Sequence, residues 1–329
     1  MQTSKLFTLL PEYICTPDGM AIDREGNLIL SCPNYADKEM SGCIVKIDKN
    51  RNVTKWFDVM PHPETGVARN MGIAFDKDWN LYICDNQGWS GDSELAFKGR
   101  ILKVIFDKDS SVKETIIVAD SMEHPNGIRI QDEYMYVTQS YLSKENIASG
   151  KLMSCVYRFH INDRDIKVTN TLKDKNILTT LVTENPDCQY GADGIAFDKD
   201  GYLYVGNFGD GEVIKVTMNG EGRVVDQKTY AKNWSQLEST DGMMFDDDQN
   251  LYVADFCANA IAKITPDGKV ERLAQSPDSD GFNGELDQPG EPCIWDGKII
   301  VSCFDLVTGP GKVNMGHEMP ATMSYLELE

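Results

Sequence analysis

The chain has 329 residues, room for two average domains or one large all-β domain, and 41% of them are aliphatic or aromatic, enough to bury a sizeable core. Lys plus Arg number 32 against 52 Asp plus Glu, a formal charge of −20. So acidic a chain repels phosphate backbones and anionic headgroups, which excludes nucleic acid and membrane surfaces as expected partners, and no stretch nears the roughly 18 apolar residues of a membrane span.

The first ten residues carry the short apolar run Leu6–Phe7–Thr8–Leu9–Leu10, too brief for a secretory h-region and followed by no small-residue cleavage site. It reads instead as a strand. The nine cysteines form no CxxC pair, and several, such as Cys84 and Cys303, lie inside apolar strand patterns. Reduced, buried thiols in a cytoplasmic protein are the expectation.

A repeat then organises the whole chain. Its first copy is Asp18-Gly19-Met20-Ala21-Ile22-Asp23 closed by Asn27-Leu28-Ile29-Leu30, and its second Gly72-Ile73-Ala74-Phe75-Asp76 with Asn80-Leu81-Tyr82-Ile83. The third, worn copy is Asn126-Gly127-Ile128-Arg129-Ile130. The fourth and fifth are Asp193-Gly194-Ile195-Ala196-Phe197-Asp198 and Asp241-Gly242-Met243-Met244-Phe245-Asp246, each followed by Leu-Tyr-Val. Glu291-Pro292-Cys293-Ile294-Trp295-Asp296 is the sixth. Each copy reads as two strands about a tight turn, commonly followed by a third, as in Gly99 to Val104, and a fourth, as in Val53 to Phe57. Four strands per copy, at intervals of 48 to 67 residues, predict a six-bladed β-propeller with four-stranded blades, a single domain over 1–329. Only Ser324 to Leu328 remains after the sixth copy, so the N-terminal strand Lys5 to Leu10 is expected to complete the last blade and close the ring. The Gly- and Pro-rich stretch 306–323 reads as a loop covering one face.

One position, five residues before the Asp that ends each first strand, should face the same place in every blade. It holds Asp18, Met71, Asn126, Asp193, Asp241 and Glu291, with Asn70 one step away in the second copy. A turn alone would explain Asp-Gly. The exchange of Asp for Asn126 and Glu291 keeps oxygen-ligand chemistry but not turn preference, and carboxylates gathered on one axis repel unless a cation or protons compensate. Oxygen-only donors suit one divalent metal ion, Ca²⁺ first, then Mg²⁺, Mn²⁺, Fe²⁺ or Zn²⁺. Asp85, Asn207 and Asp255 share a second equivalent position and form either a further polar layer or turn caps. His124 lies close to Asn126 in sequence, but the four histidines show no ligand spacing.

These motifs resemble the SMP-30/gluconolactonase family of six-bladed propellers, related to diisopropyl-fluorophosphatase. The resemblance implies a channel cation held by a Glu, an Asn and an Asp, with a further Asn near the substrate. The family's first-blade Glu is replaced here by Pro17-Asp18-Gly19, and the best Glu match, Gly290-Glu291-Pro292, falls in the last blade. A one-blade rotation assigns the family's series to Glu291, Asn70, Asn126 and Asp193; the unrotated register uses Asp18, Asn126, Asp193 and Asp241. In the rotated register the metal ligands are Glu291, Asn126, Asp193 and, as an extra, Asp18. Asp193 is the first candidate for general base and Asp241 its rival, while Asn70, Asp18 and Asp241 contact substrate. The implied reaction is hydrolysis of a small-molecule lactone or ester, a sugar lactone among the candidates. Alternatives are a non-catalytic propeller with a structural metal, or a phosphotriesterase or isomerase on the same site. Oligomeric state is not legible in the sequence.

Overall fold

The computed structural model describes residues 1–145, 147, 150–309 and 311–328. The chain parts into two compact units, residues 1–69 with 231–329, and residues 70–230. Antiparallel four-stranded sheets build both, six in all, and the fold is the six-bladed β-propeller that the repeats predict. The blade that begins at Asn70 carries one addition, the two-residue strand Ile166–Lys167, which pairs in parallel with Val112–Met122.

The repeated residues explain the hairpins. The Asp that ends each first strand folds the turn behind it. Asp76 Oδ1 accepts from the backbone N–H of Asp78 and Asn80, both at 2.9 Å, and its Oδ2 accepts from Asn80 Nδ2 at 2.8 Å and the Tyr82 hydroxyl at 3.2 Å. Asp198 and Asp246 repeat this with Tyr204 and Tyr252. Lysines on the third strand lie opposite those tyrosines, Tyr82 facing Lys103 and Tyr204 facing Lys215 in register. Lys103 and Lys215 reach Asp76 and Asp198 at 3.7 Å each, and Lys46 reaches the equivalent Asp23 at 3.0 Å. In the blades of Asp76 and Asp198 the Asp, Tyr and Lys of the motif thus form one polar knot, a structural unit rather than a site.

Sheet packing explains the unbroken apolar runs. The strand Leu28–Cys32 is buried at every residue, because both faces of a blade are covered. In the last blade, Ile300 and Met323 pack with Leu28, Leu30 and Val45, whereas Ile299, Val301 and Leu326 pack with Tyr252, Ala254 and Ile261. In the 70–230 unit, Tyr136, Val156 and Leu181 meet Ile195, Leu203 and Val205 in the same way. The N-terminal strand Lys5–Leu9 does complete the last blade, pairing antiparallel with Thr322–Glu327, and Phe7 packs edge-on against Trp295 at 5.9 Å.

Replacing Asp76 by Ala leaves two turn N–H groups and the Asn80 amide without their acceptor, while the Tyr82 hydroxyl keeps the Ile161 carbonyl at 3.1 Å. A loss of about 2–3 kcal/mol of unfolding free energy is expected. Urea denaturation of Asp76→Ala with an unchanged midpoint would show that the knot is not what fixes the hairpin.

Candidate functional site

The first strands are irregular at the positions singled out by the repeat. Ladder register slips between Asn70 and Ile73, Pro125 and Ile128, Ala192 and Ile195, and Pro289 and Pro292. The two residues inside each slip are Met71-Gly72, Asn126-Gly127, Asp193-Gly194 and Gly290-Glu291. A bulge of this kind re-aims a side chain and frees backbone groups from the ladder. Buried hydroxyls on the second strand occupy that space: Gly127 N–H donates to Thr138 Oγ1 at 2.8 Å, Thr138 donates to the Asp193 carbonyl at 2.6 Å, and Glu291 N–H donates to Ser302 Oγ at 3.0 Å. Thr138 and Ser302 therefore hold the bulges in place. The repeat reading passes over them because small polar residues late in an apolar strand carry no distinct signature.

In the 70–230 unit the structure brings Asn126 and Asp193 together. Asn126 Nδ2 donates to Asp193 Oδ1 at 2.6 Å, and the two side chains are 7% and 5% exposed, so this charge-assisted bond forms out of bulk water. With its NH₂ committed to the carboxylate, the Asn126 amide has its oxygen to offer a cation. The approach of the two strands depends on Gly127, where a Cβ would meet the Asp193 carbonyl at 2.6 Å. Asn70 is fully buried and paired in register with Asp85, while Met71 takes the bulge position equivalent to Asn126.

In the other unit the structure brings together Asp18, Glu291 and the Asp241-Gly242 segment. Gly242 N–H donates to the Gly290 carbonyl at 2.9 Å, and a Cβ on Gly242 would lie 2.2 Å from Glu291 Oε2. Asp18 is 6% exposed, and among the described residues no lysine or arginine pairs with it. Burial first, and the neighbouring Glu291 carboxylate second, push its pKa up to about 7. Asp18, buried beside a second carboxylate and without a lysine or arginine partner among the described residues, fits either a divalent cation or a shared proton.

The second polar layer has a different role. Asp85 is fully buried and paired with Arg100 Nε at 2.7 Å; Asn207 accepts from Thr183; Asp255 accepts from the N–H groups of Glu238 and Ser239 and meets Arg272 at 3.2 Å. Asp85 and Asp255 are satisfied within their own blades, and Asn207 by Thr183 and Val182 of the preceding one. His124 is buried against Tyr141 and Tyr190, and burial lowers its pKa to about 4, so it is neutral near pH 7. All nine cysteines are free, and among the described residues no helix is long and apolar enough to cross a membrane.

No protein-family model matches the chain, and no curated protein matches it in sequence. Solved structures match it in shape. A gluconolactonase from Xanthomonas campestris superposes with a TM-score of 0.61 at 12% identity, covering 100% of this chain and 96% of its own. The calcium-binding protein regucalcin of Agrobacterium tumefaciens gives 0.62 at 12%, covering 99% and 94%. The fold is that of the gluconolactonases. It is equally that of a PQQ-bound aldose sugar dehydrogenase from Streptomyces coelicolor, at 0.59, 15% identity and 99% and 98% coverage, so the architecture alone selects no reaction.

The raised Asp18 pKa has a definite sign. Between about pH 4 and pH 7 the folded chain keeps a proton that the unfolded chain has released, so in metal-free protein this group's stabilisation is complete at low pH and is lost as pH rises to about 7. Asp18→Asn has no such slope. In EDTA it should gain on the wild type by up to about 4 kcal/mol between pH 4 and pH 7.5, measured by urea denaturation at both pH values. A difference independent of pH would mean that Asp18 is not compressed against Glu291.

Proposed function

We propose that this protein is a divalent-metal-dependent hydrolase that opens a lactone or related ester of a small molecule. The observation that carries the reading is chemical: this chain buries Asp18, which has no lysine or arginine partner among the described residues, beside the Glu291 carboxylate in one unit, and buries Asn126 bonded to Asp193 at bulged positions in the other. The shared fold of gluconolactonases and of calcium-binding regucalcin adds to it. The donors are all oxygen, which fits Ca²⁺ before softer ions.

In this reading Glu291, Asn126, Asp193 and Asp18 hold the ion. A bound divalent cation would polarise the ester carbonyl and lower the pKa of water. Asp193 takes the proton from the attacking water, its carboxylate oriented by Asn126; Asp241 is the rival base. Asn70, Asp18 and Asp241 orient the substrate through amide and carboxylate contacts to its hydroxyls. Nine free thiols agree with work in the cytoplasm.

A panel of sugar lactones and aryl esters, assayed before and after EDTA treatment, tests the activity. Turnover should vanish with EDTA and return with Ca²⁺. Asp193→Asn keeps an acceptor for Asn126 but removes the base, so a fall in kcat of about 100-fold or more is expected at an unchanged melting temperature. EDTA-resistant turnover, or full activity in Asp193→Asn, would refute this mechanism; no turnover on any lactone or ester would favour a binding propeller.

A further inference from the structure

A second acidic grouping lies outside the residues assigned above. Asp287 precedes the first strand of the last blade, Pro289–Trp295; Asp305 follows the second, Lys298–Cys303; Glu318 belongs to the long connection that leads to Thr322–Glu327. One carboxylate oxygen from each lies within 4.8 Å of the others. Oxygens on opposite sides of a Ca²⁺ ion, each bound at about 2.4 Å, stand about 4.8 Å apart. The three therefore suit a common ion of that size.

Proximity of acids alone proves little. The decisive observation is Asp287, which is 2% exposed and whose Oδ1 has no hydrogen-bond partner; Glu318 Oε2 is buried and unpartnered as well. A buried carboxylate with nothing to compensate it costs several kcal/mol. Among the described residues no lysine or arginine pairs with any of the three. The one basic neighbour, His317 Nδ1 at 3.5 Å from Asp305, has its pKa lowered by burial and stays neutral, while Asp278 and Asp280 add negative charge. Burial and this mutual repulsion drive Asp287 up to about 8, and burial leads the rise of Asp305 to about 7.

The connection is nevertheless folded tightly around these groups. Asp305 Oδ1 accepts from Asn314 Nδ2 at 2.7 Å and its Oδ2 from the Glu318 N–H at 2.8 Å. Gln288 Oε1 accepts from the N–H groups of Leu306 and Val307 and from Asn314. These bonds return Glu318 to a buried carboxylate that repels it. Something else must repay that approach. The stretch 306–323, expected to be a loop, is one over 306–309 and 311–321, and its last two residues enter the strand Thr322–Glu327; Pro310 lies outside the described residues.

We propose that Asp287, Asp305 and Glu318 form a site for a hard divalent cation of Ca²⁺ type, one that does not use Glu291 and that fastens the 305–318 connection to the last blade. The full chain, stripped with EDTA and returned to pH 8, is titrated with Ca²⁺ alone by calorimetry, with thermal unfolding in parallel. The wild type and Glu291→Gln should both bind at least one Ca²⁺ and melt higher with it. Glu318→Gln and, separately, Asp287→Asn, each made in the Glu291→Gln background, should weaken that binding at least tenfold and lose the thermal shift. Asp287→Asn, nearly isosteric and uncharged, should melt no lower than wild type without metal, which guards against mere misfolding. Ca²⁺ should also slow proteolysis within 305–318 at least tenfold in the wild type and not in Glu318→Gln. The proposal is overturned if Glu318→Gln and Asp287→Asn in that background bind Ca²⁺ as Glu291→Gln alone does, if Glu291→Gln binds none, or if the wild type binds none and the cluster simply holds protons. Lactonase activity is not read in any arm, so these outcomes are separate from those of the hydrolase reading.

Discussion

The arrangement rests on one constraint: neighbouring first strands approach so closely that no side chain fits between them at the bulge. A Cβ at Gly127 would sit 2.6 Å from a carbonyl oxygen of the next strand, and one at Gly242 would sit 2.2 Å from Glu291 Oε2. At Gly127 the residue before the glycine is turned aside by the bulge, and Asn126 is buried although it is polar. Met71 fills one blade with an apolar chain; Asp18, Asn126 and Asp193 place oxygens in dry surroundings, where each must find a hydrogen bond, a proton or a cation, and Glu291 is half-buried.

That constraint sorts the buried acids of this protein by what compensates them. Asp76, Asp198 and Asp246 are wrapped in backbone N–H groups and tyrosine hydroxyls, and Asp85 and Asp255 add arginine. Such groups hold blades together. Breaking a buried pair like Asp85–Arg100 from one side would cost about 3–5 kcal/mol, the expense of an orphaned charge. Asp18 and Asp287 belong to another class. Both are buried, neither has a basic partner, and for both burial outweighs every favourable contact and lifts the pKa to about 7 or 8. An acid kept in that condition is stabilised by something other than the chain itself.

The blades were legible because each copy repeats a physical device. Asp, the turn, Tyr and the third-strand Lys occur together in the blades of Asp76 and Asp198 because they form one knot there, and the other copies keep parts of it. Closure by Lys5–Leu9 could be read from a missing outer strand. The register of the aligned position was legible too: Met71, Asn126, Asp193 and Glu291 lie in bulges, and Asp18 and Asp241 stand just before their first strands. Asn70 shows where counting ends: it lies one residue from the equivalent position, and its partner in the ladder is Asp85. The roles of Thr138 and Ser302 were not legible, because a hydroxyl that caps a bulge differs from any strand serine only in what the bulge leaves open.

The Asp287 grouping was invisible for a related reason. Its three residues come from different parts of the last blade, and Asp287 and Asp305 look in sequence like ordinary polar residues flanking strands. Only the fold of the 305–318 connection unites them, through Asn314 and Gln288, neither of which is acidic. A repeat reading finds what the blades have in common. A grouping built on one blade's departure from the repeat, such as that of Asp287, shows itself only in the buried charges that the structure leaves unpartnered.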